Sequence, residues 1–337
     1  MHGWLIIDKP VGPGSTDIVS KVKRALRDGG YGKMKVGHGG TLDPLASGVL
    51  PIALGEATKL SGRMLDADKI YEFTIRFGDQ TDTLDTEGVV VATSEVRPAL
   101  AEVEAVLPRF VGSIEQVPPI YSAIKVDGKR AYDLARAGVE VEMKTRAVTV
   151  HSLDILPELV SGRRTASRSG GVEGAAPTSE QPLHHATHGP PPRAKPGEEL
   201  ESVTLRARVS KGTYVRSLAR DIAYALESVG HVTMLRRIKA GPFTLSDAIS
   251  LDKLGEAGKA RELEQTLLPL TAGLDDIPAL PVSPDQARLL RQGRVLIGIA
   301  AQRGLHLATD QSVPVALVEA DGDELRAEIR VVRGFNL

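Results

Sequence analysis

The chain has no cysteine, which excludes a disulfide framework, a thiolate nucleophile, an iron–sulfur cluster and a cysteine-ligated zinc. Aromatic residues are few, 4% of the total, although 42% hydrophobic residues over a length of 337 suffice for a sizeable core. Apolar runs are short. The N-terminal one, Trp4 to Ile7, stops at Asp8, too soon for a secretory signal, and no later run reaches the roughly 18 residues of a membrane-spanning helix. The expectation is a cytoplasmic protein. Neither sign of charge prevails: 42 Lys and Arg face 43 Asp and Glu, a net charge of −1. The chain is therefore not a uniformly basic nucleic-acid binder.

Locally the balance is different. Lys21, Lys23, Arg24, Arg27, Lys33 and Lys35 stand against one acid, Asp28. Arg206, Arg208, Lys211, Arg216, Arg220, Arg236, Arg237 and Lys239 stand against Asp221 and Glu227. Two basic segments on a neutral chain suit a polyanion bound along one face. On charge alone, solvated helix faces are the more common explanation.

The length suits about two domains. Trp4 to Ile7 reads as a short strand, and a helix follows over Asp17 to Leu26, capped by Ser15 or Thr16, with Ile18, Val19, Val22 and Leu26 at helical spacing. Tyr71 to Gly78 alternates at period two, a half-buried strand, and Gly88 to Val91 reads as its partner across an Asp-rich turn. Helices are predicted over Arg97 to Phe110 and Lys129 to Ala137, and strands over Val148 to Leu156 and Val203 to Val209. After Gly212 comes a helix with Val215, Leu218, Ala219, Ile222, Leu226 and Val229 on one stripe, stopped at Gly230. This alternation predicts an α+β body. Residues 161–198 hold almost no large apolar side chain and read as a disordered insertion; His184, His185 and His188 lack further ligands and make no metal site. The predicted organisation is a body over 1–275 and a small β-rich domain over 276–337, too small to be stable without packing on the body.

The densest chemical signal is Val36-Gly37-His38-Gly39-Gly40-Thr41-Leu42-Asp43-Pro44-Leu45-Ala46-Ser47-Gly48-Val49-Leu50-Pro51. Glycines permit close backbone approach to a ligand, and an aspartate sits in mid-loop before a proline. A lone aspartate in a Gly-rich loop is more often an Asx-turn. Neither a P-loop nor a dinucleotide fingerprint can be drawn here, because no G-K-[ST] follows the glycines and Gly12-Pro13-Gly14 has no third glycine in register.

This segment closely resembles the catalytic motif of the TruB-type pseudouridine synthases, which isomerise a uridine in the T-loop of transfer RNA. Other segments match in order: Asp8-Lys9-Pro10 with Gly12, Tyr71 at the next strand, Thr81-Asp82-Thr83-Leu84-Asp85 with Gly88, Gln116 to Lys125, and Ser210-Lys211-Gly212-Thr213-Tyr214-Val215-Arg216. The resemblance covers about residues 3–255 and implies the pseudouridine synthase fold, with a central mixed sheet flanked by helices. Three departures stand out: Gly14 replaces a threonine or serine, the insertion over 161–198 is longer than the compact bacterial pattern, and the tail does not plainly show the PUA domain of many relatives.

The resemblance also implies roles. Asp43 is the catalytic carboxylate, and Arg216 is its partner, a cation that favours the ionised form. Tyr71 stacks on the extruded base or handles its proton, His38 stacks in the reorganised RNA loop, and Leu235 lines the uracil pocket. Lys9 and Lys211 are expected to contact the RNA backbone, which positions without specifying sequence. No cofactor or metal is implied. The partner is tRNA through its T-arm, and the enzyme is expected to be a monomer without an obligate protein partner. Two alternatives stand beside this: a guide-RNA-dependent enzyme acting on ribosomal RNA, and a tRNA-binding RNA chaperone.

Overall fold

The computed structural model describes residues 1–122, 124–126, 128–139, 141–156, 161–162 and 199–337. Most of the insertion expected over 161–198 lies outside the described residues. The chain folds as two compact units, one of Met1–Ile70 with Arg236–Leu337 and one of Tyr71–Leu235. The class is α+β, as the alternation predicts.

The first unit is built around the strand Gly3–Lys9. Trp4, Leu5, Ile6 and Ile7 are all buried, so the strand is covered on both faces and reads as a continuous apolar run. It pairs antiparallel with Ser47–Leu54 in unbroken register from Gly3 opposite Leu54 to Lys9 opposite Gly48. Ser47–Leu54 also takes Val36–His38 antiparallel, and Arg236 and Arg237 of the strand Gly230–Ala240 parallel, opposite Ser47 and Gly48. The sheet is therefore mixed, and both ends of the Asp43 loop are strands of it.

The helix Ser15–Asp28 buries Ile18, Val19, Val22 and Leu26 and exposes Lys21, Lys23, Arg24 and Arg27. The predicted cap is corrected: Gly14 is the N-cap, its N–H donating to Asp17 Oδ2 at 2.9 Å. Ser15 is left for another task, described below.

Five C-terminal strands lie in the order Ala279–Pro281, Gly304–Asp310, Val313–Asp321, Ala327–Gly334 and Leu296–Ile299. The helix Pro284–Arg291 covers them through Ala287 and Leu290. The sheet does not stand by itself. Leu307, Leu317 and Phe335 enter one apolar cluster with Trp4, Ile6 and Phe243, which supplies the burial that so small a piece lacks.

In the second unit Lys69–Phe77, Leu200–Val209, Arg146–Ile155 and Gly112–Gln116 are successive neighbours. Arg146–Ile155 is antiparallel to the strands on either side of it. Two predictions fail here. Val90–Thr93 pairs with Asp79–Thr81 rather than with Tyr71 to Gly78, because Gly78 at φ 103° turns the chain before the hairpin begins. The helix Val215–Ala225 ends well before Gly230, where Glu227 takes a left-handed φ of 56°. Gly230 opens the strand Gly230–Ala240 instead.

Candidate functional site

Asp43 stands half-buried in the loop between Val36–His38 and Ser47–Leu54. A loop without ladder hydrogen bonds must find partners for its carbonyls elsewhere, and here they are side chains. Arg237 donates from Nη2 to Gly40 O at 3.2 Å, from Nη1 to Thr41 O at 3.3 Å and from Nε to Val49 O at 2.8 Å. Ser15 Oγ donates to Leu42 O at 3.0 Å and accepts from Leu42 N at 2.7 Å. Asp43 O closes a turn by accepting from Ala46 N at 3.1 Å. Lys9 Nζ donates to Pro44 O at 3.2 Å and to Ala46 O at 2.5 Å.

Lys9 is therefore a correction. It is fully buried, and its ammonium holds the loop carbonyls, so it is not available to a phosphate. Gly48 explains itself in the same place: at φ 101° a Cβ would lie 2.2 Å from Arg237 O.

His38, two residues before Gly40, has a buried Nδ1 with no hydrogen-bond partner. Burial, and secondarily the positive charge of Arg237, lower its pKa below 6.5. The imidazole is thus held neutral. The unfolded chain takes up this proton more readily, so the stability linked to His38 is complete above about pH 6.5 and falls as the pH drops through the window below it. In urea denaturation at a series of pH values, His38→Gln should flatten the loss of stability between about pH 7 and pH 5. An unchanged slope would contradict the neutral assignment.

In the second unit the central group is Arg216, on the first turn of Val215–Ala225. Nη1 meets Asp85 Oδ2 at 3.0 Å and donates to Thr83 O at 2.8 Å, while Nη2 donates to Tyr121 O at 3.0 Å. Both side chains of the ion pair are nearly fully buried, 6% and 3% exposed. Asp85 accepts further bonds from Thr83 Oγ1 at 2.6 Å and Glu87 N at 3.0 Å. Gln116 locks the helix start, accepting from Tyr214 N at 2.8 Å and donating to Tyr214 O at 3.1 Å. Ser217 Oγ donates to Val117 O at 2.8 Å. The three motif segments around Asp85, Gln116 and Arg216 are thus one hydrogen-bonded assembly.

The remaining expected residues of this unit are Tyr71, half-buried on Lys69–Phe77, Lys211, exposed before the helix, and Leu235, buried on Gly230–Ala240. A cleft of about 760 Å³ also opens in this unit, with apolar walls including Val117, Pro118, Ile120 and Met143. Burial and the neighbouring Asp82 raise the Tyr121 phenol above its usual pKa there.

The second basic segment is not a free cationic face. Arg206 bonds Glu72, Arg220 bonds Asp221 and Arg236 bonds Asp8, while Arg216 and Arg237 are buried. Sequence reasoning passed over Asp85, Gln116, Ser15 and Arg237 as site residues. For Arg237 a signal existed: period-two alternation places it on the same strand face as Leu235. Among the described residues no cluster of three His, Asp or Glu is placed to hold a metal, and no helix is long and apolar enough to cross a membrane.

The sequence profile of the TruB family pseudouridylate synthase N-terminal domain matches residues 28–161, and that of the tRNA pseudouridylate synthase B C-terminal domain matches residues 216–275. A tRNA pseudouridine synthase B of Novosphingobium aromaticivorans is 56% identical over 100% of this chain and 98% of its own length. The chain belongs to the TruB family of pseudouridine synthases. A TruB relative from Zymomonas mobilis, also a tRNA pseudouridine synthase B, is 52% identical over 100% of this chain and 96% of its own. More distantly, a chain from an H/ACA ribonucleoprotein bound to a substrate RNA containing 2′-deoxyuridine shares the fold. Its TM-score is 0.67 at 22% identity, covering 99% of this chain and 85% of that one. The TruB N-terminal match contains Asp43, Tyr71 and Asp85, and the C-terminal match contains Arg216 and Leu235.

Proposed function

We propose that this protein is a tRNA pseudouridine synthase that isomerises a uridine of the T-loop, with Asp43 as the reacting carboxylate. The observation that carries the reading is the Asp43 loop: every carbonyl from Gly40 to Pro44 is engaged by a side chain or a turn, on a chain whose full-length relatives are tRNA pseudouridine synthases. Catalysis requires a group held in place before the substrate arrives.

The net reaction breaks the N1–C1′ bond of uridine and forms a C5–C1′ bond. The C5 proton leaves and N1 gains one, so no oxidant, reductant or carrier is consumed. The target base must first be extruded from the RNA loop into the protein. In this reading Tyr71 and Arg216 complete the catalytic set with Asp43, Leu235 lines the base pocket, and His38 and Lys211 bind the RNA. The enzyme acts alone in the cytoplasm, as a monomer without cofactor.

The test is to incubate purified protein with an unmodified tRNA transcript and map pseudouridine at single-nucleotide resolution. Product confined to one T-loop uridine, formed without added protein or cofactor, is expected. Product that appears only when a guide RNA and further proteins are added would replace this reading with the guide-dependent one. Binding and refolding of tRNA without any product would replace it with the chaperone.

A further inference from the structure

Arg237 is one of the largest fully buried side chains, 1% exposed. A guanidinium in such a place is costly to desolvate unless its donors are used. Its position shows what they are used for. Gly40 and Thr41 open the loop that carries Asp43, and Val49 follows it; Arg237 donates to all three carbonyls at 2.8 to 3.3 Å. One planar group thus ties the entrance of the loop to its exit. Beside the guanidinium the loop takes a conformation that favours glycine: Gly40 has φ 136°. The backbone of Arg237 pairs with Gly48 across the parallel ladder, so the side chain and its target strand are set by one register.

We propose that Arg237 is a positioning residue for Asp43: its guanidinium sets the span of the loop and thereby the place of the carboxylate. This rests on the assignment of Asp43 given above. Lysine would be a poor substitute. Its three donors radiate from one nitrogen, whereas arginine presents five in a planar fork wide enough to reach both loop ends. The remaining anchors, Ser15 on Leu42 and Lys9 on Pro44 and Ala46, hold the middle of the loop. With Arg237 altered they keep the loop folded but no longer fix its span.

Arg237→Lys and Arg237→Gln should lower kcat by about 10- to 100-fold, the usual consequence of a displacement of about 1 Å at a reacting group. KM for tRNA should stay within about threefold, because Lys211 is untouched and burial, the larger cause, still holds His38 neutral. Hydrogen exchange at the Leu42 and Ala46 amides should accelerate at least about tenfold, with the strand Val313–Asp321 unchanged. Phe335→Leu, in the apolar cluster of the same unit, serves as a stability control: it should lower Tm and leave kcat alone.

Loss of activity in step with the folded fraction, loss carried by KM, or unchanged exchange at Leu42 and Ala46 would each overturn the positioning role. So would failure of both Arg237 variants to fold, which would make the residue structural only. Asp43→Asn measured alongside separates the two readings. Full activity in that variant removes the Asp43 assignment, whereas an inactive Asp43→Asn beside unaffected Arg237 variants removes only this one.

Discussion

Asp43→Asn should lower single-turnover pseudouridine formation by about 10⁴-fold or more, with tRNA affinity within about threefold of wild type. The amide has nearly the shape of the carboxylate but can neither attack carbon nor accept a proton at neutral pH. The loop should survive the change. Its anchors are the side chains of Arg237, Ser15 and Lys9 on backbone carbonyls, and the Ala46 N to Asp43 O turn bond belongs to the backbone. The assay pairs product mapping with filter binding of the same transcript. Appreciable turnover by the variant would end the assignment of Asp43, and a collapse in affinity would mean that the carboxylate organises the RNA surface rather than the reaction.

The second large effect belongs to Asp85, which sequence reasoning passed over. Asp85→Ala removes a carboxylate from Arg216 inside a site only 3% to 6% exposed, takes the acceptor from Glu87 N and leaves Thr83 Oγ1 only the distant backbone carbonyl of residue 85 at 3.5 Å. Breaking a buried ion pair by deleting one partner typically costs about 3 kcal/mol or more. Arg216 also loses one of the contacts that aim it, so kcat should fall together with stability. Urea denaturation and single-turnover kinetics at a temperature where the variant is folded read the two effects separately. A stability loss below about 1 kcal/mol would show the pair to be no stronger than an exposed one. Wild-type kcat in the folded variant would show that Arg216 needs no help from Asp85.

These two residues mark how far the site was legible. Asp43 was singled out because Gly39, Gly40, Pro44 and Gly48 around it form a dense segment that resembles a family motif, and such local patterns survive in one dimension. Asp85 lay in a motif quoted for its resemblance, but nothing within Thr81 to Asp85 reveals a partner 131 residues away. Elements were legible on the same terms. The stripe Ile18, Val19, Val22 and Leu26 predicts the buried face of the first helix, because a period of 3.6 is a local property. The end of the helix Val215–Ala225 was misplaced, because Leu226 and Val229 continue the apolar stripe while the backbone at Glu227 has already turned left-handed. The hairpin was mispaired for a similar reason: Val90 suits either neighbour, and the turn at Gly78 decides.

The amino-acid sequence by itself determined the α+β class and the family motifs, among them the Gly-rich segment that holds Asp43, since each depends on residue type and short spacing. Only the tertiary structure decided what the cations do. Lys9, Arg216 and Arg237 resemble the exposed Lys21 and Arg24 in sequence, yet they are buried. Lys9 reaches Ala46 across 37 residues and Arg237 reaches Gly40 across 197. Whether a long basic side chain meets water or carbonyls depends on which distant backbone the sheet register brings beside it. That register is a property of the folded chain.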